Sequence, residues 1–346
     1  MSKFRAWFTV CLAAGTLLLS SCSHSAEPQG DSSPKTGTQT SQSADFSPVT
    51  IKHALGTAEI KKQPERVVTL GQGAAETAIA LGHTPVGMES YPWGADETGY
   101  LPWIHEAVQD KGDELPELIT GGTELDIEAV AALKPDVILA PWSGITEEQY
   151  SLLADIAPTV AYPEEPWVIT WEQEIEMVAK ALGEENRSQE LIDEVNSTFA
   201  KYAKPEYKDY TFAYIYTDGP GTLGVFFEGE QRSSFLSKLG LTIDPVVETF
   251  RDQEVPGTDS ALIGLENADK LKDTDVIVTW YSSSESRKET EGQKLYMEIP
   301  AIKRGAVVAA EDQSFVTASS IINPLTVPWA AERYIPLIDA AVKAAK

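Results

Sequence analysis

The sequence predicts an α/β protein of two similar lobes, each built on parallel strands, with a ligand cleft between them. The first observation behind this prediction is a unit that occurs twice, at 125–139 and 263–278. Each copy has the pattern of a short helix that starts with acidic residues, a turn beginning Leu-Lys and a buried strand Asp-Val-Ile. The second observation is the stretch 185–204 between the copies, where apolar residues recur every three or four positions, as in an amphipathic helix.

The stretch 185–204 is predicted to be one long, rigid and uninterrupted helix. A helix of this length spans roughly 30 Å, which is enough for a strut between two bodies. Pro205 ends it, because a helix seldom continues through the residue before a proline. Since a continuous helix bends less easily than strand hinges, we expect only modest closure when a ligand binds.

The N-terminal lobe is predicted to span 47–184. A hairpin at 49–60 precedes a strand, helix and strand between 66 and 88, which is the order of a parallel, Rossmann-like unit. Trp93 and Trp142 follow two of its predicted strands, where ligands sit in open α/β sheets. We therefore expect both indoles to line the cleft.

The C-terminal lobe is predicted to span 205–346 and to repeat this arrangement. Its strands at 210–216, 276–279 and 307–310 are followed by aromatic residues, with Phe315 in the loop after the last strand. The candidate ligand-binding residues of this lobe are Tyr216, Arg232, Arg251, Trp280, Tyr281 and Phe315.

Aromatic walls suit a large and partly apolar ligand. The planar fork of arginine suits ligand oxygens. A strongly anionic ligand would require a tighter basic cluster than this sequence contains, which weakly favours a neutral or cationic ligand.

The N-terminus is predicted to be a processed segment rather than part of the fold. Residues 1–21 combine basic residues, an apolar run and a small-residue end, and they resemble a bacterial lipoprotein signal peptide that leaves Cys22 as a lipidated first residue. The alternative is an ordinary signal peptide with a chance cysteine. Residues 22–46 are rich in Ser, Thr, Gly and Pro and are predicted to be a flexible tether. These features predict a protein anchored to the outer face of the cell membrane by lipid alone.

Composition argues against several other classes of protein. A net charge of −26 argues against nucleic acid as a partner. The histidines His24, His53, His83 and His105 share no spacing and no thiol would remain after lipidation, so no direct metal site is predicted. A surface-anchored hydrolase is the alternative from a different class, but there is no Gly-x-Ser-x-Gly elbow, and we expect no enzyme activity.

The chain from about 47 to 346 resembles the iron-siderophore substrate-binding proteins of ABC importers. The resemblance rests on the strand 66–70 with Glu76, on Leu-Lys-Pro-Asp at 133–136, on Ile-Pro-Ala-Ile-Lys at 299–303 and on the run 324–329 into a last helix. The wider group shares a helical connection between its lobes and includes haem and cobalamin binders.

This resemblance implies a monomeric receptor that captures a ferric siderophore and delivers it to an ABC permease and its ATPase. Iron would arrive already chelated, without any directly bound cofactor. A haem or cobalamin binder of the same importer class remains the alternative. In the family, one glutamate on each lobe docks into arginine pockets of the permease, and Glu128 and Glu266 occupy the matching positions, one in each copy of the repeat.

Overall fold

The structure, a computed structural model, describes residues 46–346, which belong to one compact unit. The predicted signal peptide, Cys22 and nearly all of the predicted tether lie outside the described residues. No helix in the described part of the chain is both long and apolar enough to cross a membrane.

The first lobe consists of a hairpin and a five-stranded sheet. In the hairpin, β1 (Val49–His53) pairs with β2 (Gly56–Ile60) in antiparallel register. The sheet has the order β5-β4-β3-β6-β7, all parallel, and its strands are β3 (Val67–Thr69), β4 (Gly87–Glu89), β5 (Glu117–Ile119), β6 (Val137–Leu139) and β7 (Thr159–Val160). Its helices are α1 (Ala74–Ala80), α2 (Pro102–Lys111), α3 (Ile127–Ala132), α4 (Glu147–Ile156) and α5 (Trp171–Leu182).

The connecting helix α6 covers Ser188–Tyr202 and is shorter than predicted. Its expected first turn is a 3-10 turn, Glu185–Arg187, in which the Arg187 amide donates to the Glu184 carbonyl at 2.7 Å. Such tightened turns are common at helix starts, so the prediction of one uninterrupted helix over 185–204 is wrong at its N-terminal end. The helix stops before Pro205, as expected, because Ala203 is already extended.

The second lobe contains a seven-stranded mixed sheet. Its strands are β8 (Thr211–Tyr216), β9 (Gly224–Phe226), β10 (Thr242–Ile243), β11 (Glu254–Val255), β12 (Ser260–Leu262), β13 (Val276–Trp280) and β14 (Val307–Ala310). Strands β10, β8, β13 and β14 are parallel, whereas β9, β12 and β11 extend the sheet in antiparallel pairings. The parallel arrangement thus forms only part of this sheet. The helices are α7 (Gln231–Lys238), α8 (Pro245–Glu248), α9 (Ser284–Glu291), α10 (Lys294–Met297), α11 (Pro300–Lys303), α12 (Gln313–Ala318) and α13 (Thr326–Ala345).

The two copies of the repeated unit use their aspartates in the same way. The Asp136 carboxylate accepts from the amides of Glu65 and Arg66 at the start of β3, and Asp275 accepts from the Thr211 amide at the start of β8 at 2.9 Å. Each aspartate therefore ties its own strand to the neighbouring parallel strand. The helices differ, because the second copy contains a 3-10 helix, Leu265–Asp273, in place of α3.

The lobes share a common core through three helices. Helix α6 packs against α5 of the first lobe and α13 of the second. Its buried face consists of Leu191, Ile192, Val195 and Phe199, and each such side chain contributes about 1.5–3 kcal/mol on burial. A connection embedded in a shared core resists bending.

Candidate functional site

A cavity of about 480 Å³ lies between the lobes. We call it the cleft. The first lobe contributes the loop after β6 and the segment 163–173, and the second lobe contributes the start of α7 and the segment around β11. The residues used below that line it are Trp142, Glu164, Trp167, Glu230, Glu254 and Asp259.

Trp142 and Trp167 form an aromatic wall on the first-lobe side of the cleft. The Trp142 Nε1 donates to the Trp167 carbonyl at 2.9 Å, and the Trp167 amide donates to the Ser143 carbonyl at 3.1 Å. These bonds hold Trp167 with φ at 64°, a left-handed conformation that side chains other than glycine rarely adopt. Trp142 was expected at the cleft, whereas Trp167 was not. Trp167 follows β7, a strand of only two residues that the sequence pattern does not reveal.

Arg232 lies behind the cleft rather than in its lining. Its guanidinium pairs with Glu230 and stacks on the Phe226 ring, 4.8 Å from the centroid. Glu230 also caps helix α7 by accepting from the Arg232 amide at 2.7 Å. Burial raises the pKa of Glu230, and the adjacent Arg232 opposes that shift. The cleft is therefore lined by Glu230 of this pair and not by Arg232.

Arg251 is also bound within the protein. Its guanidinium donates to Glu248 at 2.9 Å, to Asp259 at 2.7 Å and to Glu254 at 3.4 Å. It stacks on the Phe227 ring, 3.7 Å from the centroid. The guanidinium N–H groups that were predicted to contact a ligand are therefore occupied by three carboxylates of the protein itself.

Trp93 and Trp280 contact each other across the lobes. Their ring centroids are 5.9 Å apart with the planes at 79°, an edge-to-face arrangement. The structure therefore brings together two predicted cleft residues from different lobes, although neither lines the cavity itself. Tyr216 stacks on Phe226, with the two ring centroids 4.7 Å apart, and it does not line the cavity either.

Tyr281 and Phe315 lie in the core of the second lobe. The Tyr281 ring is buried, and its hydroxyl shares a 3.0 Å hydrogen bond with the hydroxyl of Tyr296. The expectation that Phe315 lies in a loop is wrong: it belongs to α12, which begins when Asp312 caps the Phe315 amide at 2.7 Å. Its ring is buried against Tyr334 at 4.8 Å.

Two buried carboxyl groups lie beneath the glycine loop at 71–73. Glu76 accepts a 2.9 Å hydrogen bond from Trp103 Nε1. The carboxyl of Glu174 lies so close to Gly73 that a β-carbon there would be 2.3 Å from it. Burial raises the pKa of both groups, and repulsion from Glu76 further raises the pKa of Glu174. This acidic pair supports the loop but does not line the cleft.

The two predicted docking glutamates are both exposed. Glu128 lies in the first turn of α3, whose N-cap Asp126 accepts from the Ala129 amide at 2.9 Å. Glu266 lies in the first turn of the 3-10 helix Leu265–Asp273. Within residues 46–346, no cluster of three or more His, Cys, Asp and Glu side chains has the geometry of a metal site.

Comparison with known proteins identifies relatives of matching size and fold. The probable siderophore-binding lipoprotein YfiY of Bacillus subtilis (strain 168) is 26% identical over 292 residues, which cover 79% of this chain and 83% of that protein. The structure of PiaA from Streptococcus pneumoniae TIGR4 in complex with ferrichrome is 31% identical, with a TM-score of 0.76, and the match covers 86% of this chain and 99% of PiaA. SirA of Staphylococcus aureus, solved with staphyloferrin B, is 26% identical with a TM-score of 0.62 and coverage of 86% and 98%.

The family comparison covers most of both lobes. Residues 67–313 match the periplasmic binding protein family, and this segment extends from β3 through the cleft residues to the start of α12. Because this match spans well over half of the chain, the protein belongs to the periplasmic binding protein family.

Proposed function

We propose that the protein captures a ferric siderophore in the cleft and delivers it to an ABC permease, as a binding component and not as an enzyme. The observation that carries this proposal is the cavity of about 480 Å³ lined from both lobes and walled by Trp142 and Trp167. Pockets of roughly 300–1,000 Å³ suit small organic ligands. The relatives support the ligand class, because PiaA was solved with ferrichrome and SirA with staphyloferrin B.

The charges around the cleft favour a neutral or cationic iron complex. Glu164, Glu230, Glu254 and Asp259 line the cleft, and no lysine or arginine does so among the residues described. Arg232 pairs with Glu230, and Arg251 is shared by Glu248, Glu254 and Asp259, so these groups together with Glu164 keep a net negative charge. An anionic complex entering this cleft would meet several carboxylates at short range, where water screens charge less than it does in bulk solvent.

A tryptophan-fluorescence titration of the purified protein tests the ligand class. The panel comprises ferric hydroxamates, ferric catecholates, ferric citrate, haem, cobalamin and free metal ions. Saturable quenching at sub-micromolar concentration by a ferric hydroxamate is expected. If only haem or cobalamin bound, the assignment of the ligand as a ferric siderophore would be wrong. If nothing in the panel bound, the proposal would be refuted.

Delivery to the permease is proposed to use Glu128 and Glu266. Both carboxylates are exposed, and they occupy the same place in the two copies of the repeat, so together they could engage a two-fold partner. Reversing both charges, with Glu128→Arg and Glu266→Arg, should abolish iron uptake and leave ligand affinity unchanged. A matched variant that reverses the exposed Glu176 and Glu285 should retain uptake. Loss of ligand binding in the first variant would contradict the docking role.

Anchoring is proposed to occur through a lipid on Cys22, which fits the lipoprotein signal pattern and the description of YfiY as a lipoprotein. The change Cys22→Ala should move the protein from the membrane fraction to the soluble fraction. Continued membrane association of that variant would contradict the anchor.

A further inference from the structure

We infer that Trp167 determines which sizes and shapes of ligand the cleft accepts, because it separates the cleft from a second cavity. This inference rests on the proposed function, because it concerns which ferric complexes the same cleft accepts. The second cavity, here called the side pocket, belongs to the first lobe and has a volume of about 160 Å³. Trp167 lines both the cleft and the side pocket.

The side pocket is large enough to hold part of a ligand. A cavity of about 150 Å³ accommodates benzene in a protein interior, so the side pocket has room for one ring-sized group. Its walls mix apolar Leu125 and Ile145 with polar Ser143, Thr146 and Gln149 and with Glu89, whose carboxylate accepts from the Gly71 amide at 2.7 Å. Among the described residues, Trp167 alone lines both cavities, so a group that extends from a complex in the cleft toward the side pocket meets Trp167 at their boundary.

The indole is held firmly in the dividing position. Its backbone is fixed on both sides, by the amide bond to the Ser143 carbonyl and by the bond from Trp142 Nε1 to its own carbonyl. On one side the ring packs against Gly144, where a β-carbon would lie 2.4 Å from the indole Nε1. Yet Trp167 remains 48% exposed. A large aromatic surface that is rigidly positioned and uncovered beside a cavity is suited to contact a ligand.

The division has a direct consequence for selectivity. With the indole in place, the cleft ends at a flat aromatic wall, which favours a compact complex. A complex with an additional ring-sized arm must either displace the indole or leave the arm in solvent. Removing or displacing the indole joins the two cavities and opens the side pocket to that arm.

Two substitutions test the division from opposite sides. Trp167→Ala removes the indole, whereas Gly144→Ala retains it and pushes it away with a new methyl group. Gly144 does not have a positive φ, so its backbone accepts alanine without strain. The probes are ferrichrome and a ferrichrome analogue that carries one additional benzoyl arm, and Kd is measured for both by fluorescence and calorimetry.

We expect the wild-type protein to bind ferrichrome at least about tenfold more tightly than the analogue, and both variants to reduce this ratio to about threefold or less. Trp167→Ala should also weaken ferrichrome itself by about two- to twelvefold, the loss expected for one aromatic contact. The control is Leu152→Ala, which removes another large apolar side chain of the first lobe, 47% exposed and outside both cavities. It should leave both affinities unchanged.

The outcomes separate this inference from the proposed function. An unchanged ratio in either Trp167→Ala or Gly144→Ala, with thermal unfolding confirming that the variant is folded, would overturn the division. An equal change of the ratio between the two Kd values in Leu152→Ala would overturn the division as well. If wild-type protein bound neither probe nor any other ferric siderophore, the proposed function itself would fall, and the inference with it.

Discussion

Replacing Glu174 by glutamine should change how stability depends on pH. Glu174 is buried beside Glu76, and burial together with that neighbour raises its pKa well above the ordinary value of 4.5. At a pH between the ordinary pKa and the raised pKa, Glu174 of the folded protein therefore retains a proton that the unfolded chain has lost. The stability from this proton is fully present below about pH 4.5 and is lost as the pH rises toward the folded pKa.

The size of the effect follows from proton linkage. One retained proton lowers the free energy of unfolding by about 1.4 kcal/mol for each pH unit between the two pKa values. Glutamine has no such proton and stays neutral at every pH in this range. The variant should therefore gain stability relative to the wild type by up to about 1.4 kcal/mol per pH unit. Any easier ionisation of Glu76 in the variant adds in the same direction.

The assay is denaturant unfolding of both proteins from about pH 5 to about pH 8, with the difference in free energy plotted against pH. Glu176→Gln, on the exposed side of the same helix, controls for the loss of one formal charge. A difference that stays flat across this range for Glu174→Gln would refute the reasoning, because it would mean that Glu174 binds protons equally in both states.

Three further predictions follow from the contacts between and within the lobes. Trp103→Phe should destabilise the fold by about 1–3 kcal/mol in denaturant unfolding, because the buried Glu76 loses its indole donor; an unchanged midpoint would contradict this. A double-mutant cycle on Trp93 and Trp280 should give a coupling of about 0.5–1.5 kcal/mol from their edge-to-face contact, and independent effects would exclude it. Scattering curves of the free and ferrichrome-loaded protein should nearly overlap because α6 lies in a core shared by both lobes; a large compaction on loading would show that this core does not limit closure.

The architecture could be predicted where local pattern determines structure. The repeated unit predicted a buried strand in each lobe. In both copies the aspartate before that strand ties it to the neighbouring parallel strand. The antiparallel pairings of β9, β12 and β11 were not predicted, because β9 and β12 are far apart in the chain and β11 and β12 are only two and three residues long.

The candidate site was harder to predict because proximity to a strand end does not determine where a side chain points. Adjacent residues at a strand end face opposite ways, so Trp280 and Tyr281 cannot both face the same side. The structure leaves Trp280 against Trp93 and buries Tyr281. The arginines were recognised as candidates, but in so acidic a sequence nothing indicated which carboxylates would pair with Arg232 and Arg251.

The most direct test of the proposed binding site is an anomalous difference map at the iron edge from crystals of the protein grown with ferrichrome. We predict a single iron peak between the lobes, in the cleft, with the hydroxamate complex in contact with the wall formed by Trp142 and Trp167. An iron peak on the outer surface of either lobe, or clear binding in solution with an empty cleft in the crystal, would contradict it.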